Sequence, residues 1–251
     1  MLQYREFISM PIKIIINLPI FVFSLFFSCF IFCSISWAGF QFLDPDIPDN
    51  ETITYRSTSD GKTITVKEQV RHVIGENNNF YEIDSLSPVL DTHIRINRKD
   101  MTVVSVHTFQ KYDEATLDSK LVIKDKKPNR DDNAIKIPHF VALSHLLRGF
   151  PFESKEKLLI NYYGGSAGKK FQLRVKNKNR DIINVMGKEI ECYKLEFGLA
   201  GFLWAVLPEL ELWYSVEPPH YMVRYKGPEG PPGTPKRFIE IIEYQKSCPW
   251  Q

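Results

Sequence analysis

Apolar and polar residues alternate along most of the chain from residue 51 onward, and a period of two predicts β-strands. Phe171, Leu173 and Val175, for example, alternate with polar neighbours, which indicates a strand with one buried and one solvated face. Such runs recur at short spacing with polar turns between them, as is typical of an antiparallel meander. The predicted strands cover about residues 53–57, 64–67, 79–85, 90–97, 101–109, 119–124, 157–163, 169–177, 181–197 with an interruption at Gly187, 209–217, 220–227 and 236–246.

Two hairpins can be assigned with a register. Asp60 and Gly61 separate the first two strands, and an Asp-Gly pair supplies the positive φ angles that a two-residue hairpin turn needs. This turn places Tyr55 opposite Val66. Near the end of the chain, a turn at residues 217–220 places Leu212 opposite Tyr225 and Tyr214 opposite Val223 by the same alternation.

The glycine- and proline-rich stretch at residues 227–235 reads GPEGPPGTP, three Gly-X-Y triplets. A collagen helix needs many such triplets from three chains. We therefore predict that the stretch is an extended, semi-rigid connector between the last two strands.

One helix interrupts the strands, at residues 139–148. Phe140, Leu143, Leu146 and Leu147 recur at helical spacing, Gly149 follows as a cap, and a proline comes two residues later. A helix with one apolar stripe can bury it on the concave side of a curved sheet. Residues 200–208, AGFLWAVLP, fit either a second short helix or a hydrophobic loop.

The predicted fold is mostly β (α+β): a curved antiparallel meander sheet or half-barrel of about 10–12 strands, with one or two short helices covering its concave face. The space between sheet and helix is either a solid core or a cavity for an apolar group such as an acyl chain. The candidate cavity residues are Tyr55, Val66, Phe140, Leu143, Leu147, Phe171, Leu173, Leu212, Tyr214 and Tyr225.

Residues 1–38 have the features of a targeting segment. A basic start is followed by a long apolar run, and small residues at Ser36 and Ala38 suit a signal peptidase. The run is also long enough for a retained membrane anchor, and a lipid-modified Cys29 or Cys33 is a third alternative. We predict export to the periplasm or cell exterior, with residues 39–251 forming a single β-rich domain.

Export changes the interpretation of the cysteines. Of the four cysteines only Cys192 and Cys248 follow the targeting segment, and two thiols in an oxidising compartment are commonly bridged. A Cys192–Cys248 disulfide is therefore predicted, with two separate buried thiols as the alternative. The formal net charge of +2 gives no indication of a polyanionic partner, so no nucleic acid is expected.

The sequence contains no motif typical of a catalytic site or a cofactor-binding site. The loop at residues 163–170 lacks the Ser or Thr that follows the lysine of a phosphate-binding loop, and a strand follows it. The six histidines form no metal signature, although His93 and His107 could be cross-strand neighbours. Ser144 lies outside any nucleophile elbow. We expect no enzyme activity, no cofactor and no metal.

Two stretches carry a resemblance to a known type of protein. Residues 146–152, LLRGFPF, and residues 211–215, ELWYS, are similar to segments of exported bacterial proteins related to the LolA/LolB lipoprotein carriers. The resemblance implies a half-barrel that holds acyl chains and a role in envelope lipid or lipoprotein handling. The amphipathic strands, the apolar helix and the targeting segment lead us to predict a non-enzymatic periplasmic protein that binds an apolar ligand such as a lipid or acyl chain. The alternative is an envelope scaffold or protein-interaction module with a filled core. In that case Phe202, Leu203 and Trp204 are the candidate patch for a protein partner or membrane.

Overall fold

The computed structural model describes residues 42–76, 78–111, 116–122, 135–137, 140–154, 158–164, 169–199, 210–228 and 234–247. These residues belong to one compact unit, residues 40–251. Thirteen strands in this part of the chain form a single sheet. They are β1 Glu51–Ser59, β2 Lys62–Ile74, β3 Asn79–Leu86, β4 Leu90–Asn97, β5 Val103–Lys111, β6 Thr116–Val122, β7 Ile135–Ile137, β8 Leu158–Gly164, β9 Lys169–Val185, β10 Lys188–Leu199, β11 Leu210–Ser215, β12 Met222–Pro228 and β13 Lys236–Gln245.

The sheet is a meander whose first and last strands pair with each other. Its spatial order is β6-β5-β4-β3-β2-β1-β13-β12-β11-β10-β9-β8-β7, so β6 and β7 are the two edges and the sheet does not close. Every pairing is antiparallel except that of β7 with β8, which is parallel. The predicted curved antiparallel sheet with a short covering helix is confirmed, and only the three-residue strand β7 has no counterpart among the predicted strands.

The first hairpin has the turn and the register that the Asp-Gly pair predicts. Asp60 and Gly61 adopt φ angles of 49° and 71°, and Tyr55 pairs with Val66. Met186 and Gly187 form a second turn of this kind, with φ angles of 54° and 73°. Gly187 therefore ends β9 and starts a hairpin, so the predicted strand at residues 181–197 is divided between β9 and β10.

The second predicted hairpin is correct at one end and wrong at the other. Leu212 pairs with Tyr225 as predicted, but Tyr214 pairs with Met222 and not with Val223. A β-bulge between Trp213 and Tyr214 shifts the register by one residue. The connector that carries the Gly-X-Y triplets joins β12 to β13, which are paired neighbours, and its residues 229–233 lie outside the described residues.

The single helix of the described residues, α1, comprises Phe140–Leu146 and continues as a 3-10 turn at Leu147–Gly149. Gly149 is required for a close backbone approach. Its carbonyl accepts a hydrogen bond of 3.0 Å from the amide of Leu43, and a Cβ atom at Gly149 would lie 2.1 Å from the Leu43 carbonyl oxygen. The segment that precedes β1 is thereby held against the end of the helix.

Within the described residues, no helix has the length and apolar character needed to cross a lipid bilayer. The predicted targeting segment and the hydrophobic stretch 200–208 lie outside the described residues. Export of this chain accordingly stays a prediction from its sequence.

Candidate functional site

Helix α1 lies on the buried face of the sheet and contacts strands from its middle. The ring of Phe140 packs edge-on against Tyr225 of β12, with ring centroids 4.7 Å apart. One helical turn later, the Ser144 carbonyl accepts a hydrogen bond of 2.9 Å from the Tyr214 hydroxyl of β11. The helix is therefore attached to the sheet by both apolar and polar contacts.

A buried ion pair joins the end of the helix to β1. The guanidinium of Arg148 donates to both carboxylate oxygens of Glu51, at 2.6 and 2.9 Å, and its Nε donates to the Pro219 carbonyl at 3.0 Å. The side chains of Arg148 and Glu51 are 2% and 0% exposed. The Tyr244 hydroxyl of β13 donates a further bond of 2.9 Å to Glu51.

This arrangement keeps Arg148 charged inside the protein. Burial lowers the pKa of Arg148, but the charge and hydrogen bonds of Glu51, together with Tyr55 and Tyr244, outweigh it, so the pKa of Arg148 lies above its ordinary value. A bidentate arginine–carboxylate pair is among the strongest hydrogen-bonded pairs in proteins. Breaking it inside the core would leave an uncompensated charge.

A second buried polar cluster joins α1 to β2 and β3. His145 Nε2 lies 3.0 Å from Glu68 Oε2, and the Ser85 hydroxyl donates to Glu68 Oε1 at 3.3 Å. His145 Nδ1 is buried and has no hydrogen-bond partner among the described residues. The serine donates to the carboxylate and not to the imidazole, so the cluster lacks the serine–histidine contact that activates a nucleophile.

Most of the candidate cavity residues lie together in the core. Tyr55, Leu143, Leu147, Leu173, Leu212, Tyr214 and Tyr225 are buried members of one apolar cluster, and Val66 and Phe140 pack against it. The side chain of Phe171 lies outside the described part of the structure. Burial raises the pKa of the Tyr55 and Tyr214 hydroxyls well above the ordinary value, so both stay neutral.

A cleft among the described residues lies away from this core, on the solvated face. It has a volume of about 350 Å³ and is lined by Lys178, Asn179, Arg180, Asp181, Lys194 and Glu196. Lys178 pairs with Glu196, and Lys194 pairs with Glu211.

The predicted partner patch, Phe202, Leu203 and Trp204, lies outside the described residues, and its role stays a prediction. No group of three or more potential metal ligands occurs in the residues that the structure describes. The structure does pair His93 with His107 directly across β4 and β5, a register that the sequence left open.

Sequence reasoning missed the buried charges, although the alternation contains a signal for them. Glu51, like Ile53 and Tyr55, is at an odd-numbered position of its strand, and Glu68, like Val66 and Val70, is at an even-numbered one. In a strand, residues of one parity share a face. A carboxylate at a core-facing position therefore indicates a buried partner, and here the partners are Arg148 and His145.

The disulfide between Cys192 and Cys248 stays a prediction, and the structure describes only the surroundings of Cys192. Cys192 is buried with a free thiol, and it pairs with Ser215, whose amide bonds to the Tyr221 carbonyl. The Tyr221 ring stacks on Tyr244 at 4.1 Å, and Cys248 follows four residues after Tyr244. The position of Cys248 itself lies outside the described residues.

We expect a Cys192–Cys248 disulfide in protein recovered from an oxidising compartment, stabilising the fold by about 4 kcal/mol. Peptide mapping without reductant should yield the linked pair, and Cys248→Ser should abolish it. In the reduced protein, burial raises the pKa of the Cys192 thiol to about 12, so iodoacetamide should label it only after unfolding. Labelling of both thiols in unreduced, denatured protein would contradict the disulfide.

Comparisons with known proteins assign no family to the chain. No protein-family model and no curated protein sequence matches it. Similar solved structures include a β-barrel-like protein of the domain of unknown function DUF1849 from Brucella abortus. It is 10% identical, with a TM-score of 0.43, over 78% of this chain and 97% of that chain.

Two further structures are similar at lower TM-scores. A candidate lipoprotein from Parabacteroides distasonis is 10% identical, with a TM-score of 0.34, over 82% of this chain and 99% of that chain. A candidate exported protein with a YmcC-like fold from Bacteroides fragilis is 10% identical, with a TM-score of 0.29, over 83% of this chain and 100% of that chain. Likeness at this level carries no function across, and it does not show the LolA/LolB resemblance.

Proposed function

We propose that this protein is an exported, non-enzymatic module of the cell envelope that binds another protein and holds no small-molecule ligand between its helix and its sheet. The observation that carries the proposal is the buried Glu51–Arg148 pair, which joins the end of α1 to β1. A buried interior joined by an ion pair suits a rigid scaffold better than a carrier that must open.

The cost of opening supports this preference. A ligand that entered between α1 and the sheet would have to separate Arg148 from Glu51 and His145 from Glu68. Separating a buried ion pair without replacing the partner costs about 3–5 kcal/mol. An acyl chain offers no polar group along its length that could replace either carboxylate, so its binding would have to overcome the whole penalty.

A carrier of an apolar ligand, in envelope lipid or lipoprotein handling, is the second candidate. The curved open sheet with a helix on its buried face favours it, because this is the architecture that the LolA/LolB resemblance implies. In that case Tyr55, Leu143 and Tyr225 would contact the ligand after α1 moves. The two candidates differ in whether the interior ever opens.

Native mass spectrometry of protein purified from the cell envelope separates the two. We expect the mass of the bare polypeptide, no lipid in an organic extract, and no binding of a fluorescent fatty acid. A protein that takes no ligand into its interior should also keep its melting temperature unchanged when fatty acid is added. A stoichiometric co-purifying lipid would contradict the proposal and favour the carrier.

Partner binding can be tested at the predicted patch. Changing Phe202, Leu203 and Trp204 to serine should abolish covalent cross-linking to an envelope protein while the circular dichroism spectrum stays unchanged. The matched control is Ile182→Ser, because Ile182 is also apolar and is 63% exposed on β9. Equal cross-linking by the patch variant and wild type would exclude this patch as the binding surface.

A further inference from the structure

The solvated face of β12 and β13 carries two exposed lysines beside an exposed aromatic ring. Lys236 and Phe238 are two residues apart on β13 and so share a face, and Phe238 pairs with Lys226 of β12. Directly opposed residues of neighbouring strands have Cβ atoms about 5 Å apart. In the turn between β1 and β2, at the same end of the sheet, the exposed Asp60 and Lys62 offset each other in charge. The two lysines on β12 and β13 therefore determine the charge around the ring.

The carboxylates on this face are engaged by other cations. Glu240 Oε1 accepts a hydrogen bond of 3.2 Å from Arg56 of β1, and Glu240 Oε2 accepts one of 2.6 Å from Arg224 of β12. Two guanidiniums on one carboxylate leave a positive charge. Glu211 of β11, on the same face, forms its ion pair with Lys194. The face therefore carries an excess of positive charge.

The cations on this face suit phosphate better than a protein carboxylate. Arginine binds a carboxylate through two parallel hydrogen bonds, but the guanidiniums of Arg56 and Arg224 are already held by Glu240. The exposed lysines are point charges on flexible stems, which an anionic lipid surface attracts without requiring a fixed geometry. Arg224 lies 5.4 Å from the centre of the Phe238 ring, which stays 37% exposed and can enter a headgroup region.

We propose that this basic face, formed by Arg56, Arg224, Lys226, Lys236 and Phe238, docks the domain on a membrane surface that contains anionic phospholipid. The lysine stems lie along the protein surface while their ammonium groups contact the phosphates. Such attraction falls off within the Debye length, about 10 Å at 0.1 M salt, so docking is peripheral and reversible. It requires no opening between α1 and the sheet.

Co-sedimentation with unilamellar vesicles tests this docking surface. Residues 40–251 form one compact unit, so this domain is used without the targeting segment. One set of vesicles contains equal parts of phosphatidylcholine and phosphatidylglycerol, and the other contains phosphatidylcholine alone. We expect saturable binding to the mixed vesicles and none to phosphatidylcholine. Binding should be lost at about 1 M salt, where the Debye length is about 3 Å.

Lys226→Gln/Lys236→Gln should weaken binding to the mixed vesicles by about 25-fold, because each lysine near an anionic surface contributes about fivefold. Lys99→Gln/Lys188→Gln is the matched control. It changes the net charge equally, but both lysines are exposed at the opposite end of the sheet, so its affinity should equal that of wild type. Phe238→Ser should weaken binding without changing its dependence on salt, because the ring is uncharged.

Circular dichroism checks that each variant is folded. The proposal is overturned if wild type does not bind the mixed vesicles, or if it binds both kinds of vesicle equally. Equal affinities of Lys226→Gln/Lys236→Gln and Lys99→Gln/Lys188→Gln would also overturn it, since net charge and not this face would then direct the protein. Binding of polyglutamate without binding of the mixed vesicles would assign the face to an acidic protein instead.

Discussion

Replacing Arg148 with methionine should lower the free energy of unfolding by about 3–5 kcal/mol, the usual cost of removing one member of a buried ion pair. The substitution leaves Glu51 charged at zero exposure, with only the Tyr244 hydroxyl as a described side-chain donor. It also leaves the Pro219 carbonyl without the bond from Arg148 Nε. Urea denaturation followed by circular dichroism measures the change.

Two comparisons make this result specific to the buried pair. The double variant Glu51→Leu/Arg148→Met should be more stable than Arg148→Met alone, because replacing both members of a buried pair by apolar groups removes the unpaired charge. Arg56→Met is the control for an exposed pair, since Arg56 is 54% exposed and bonds to Glu240. It should cost less than about 1 kcal/mol. Similar losses in Arg148→Met and Arg56→Met would contradict the role given to the buried pair.

Gly149→Ala should destabilise the protein by about 3 kcal/mol, because a Cβ atom would lie 2.1 Å from the Leu43 carbonyl oxygen. The backbone of residues 42–50 would have to move away, with loss of the hydrogen bond between the Leu43 amide and the Gly149 carbonyl. Thermal and urea denaturation measure the loss. Limited proteolysis should in addition show earlier cleavage within residues 42–50.

Gly61→Ala is the matched control for this substitution. Gly61 has a positive φ of 71° but no atom within 4 Å of the position that a Cβ would take, so alanine there should cost about 1 kcal/mol through backbone strain alone. The two variants separate steric conflict from strain. A loss in Gly149→Ala no larger than that in Gly61→Ala would mean that the contact with Leu43 is unimportant for stability.

The fold was largely predictable, because alternation and turn chemistry act locally. Asp60 and Gly61 fix the register of the first hairpin, which places Tyr55 opposite Val66. The bulge beside Trp213 could not be predicted, since it depends on how the β11–β12 hairpin fits its neighbours. The short strand β7 pairs in parallel with β8, and three residues are too few to show a period.

The interior was less predictable, and the reason is physical. The alternation of apolar and polar residues predicts that Tyr55, Leu212 and Tyr225 lie on a buried face. It does not determine whether the side chains that face each other there touch or leave a void. That depends on the position of α1, which Arg148 and His145 determine through bonds to Glu51 and Glu68. These pairs join residues that are far apart in the chain, so no local pattern identifies the partners.

Hydrogen exchange of the hydrogen-bonded amides of residues 144–149, followed by NMR or mass spectrometry, tests the central claim that helix and sheet enclose an interior that does not open. Amides that open only when the whole domain unfolds exchange with the free energy of global unfolding. The account predicts that these amides match those of β1 and β2, with and without added fatty acid. Exchange of α1 at a clearly lower free energy, or protection that rises when fatty acid is added, would contradict it.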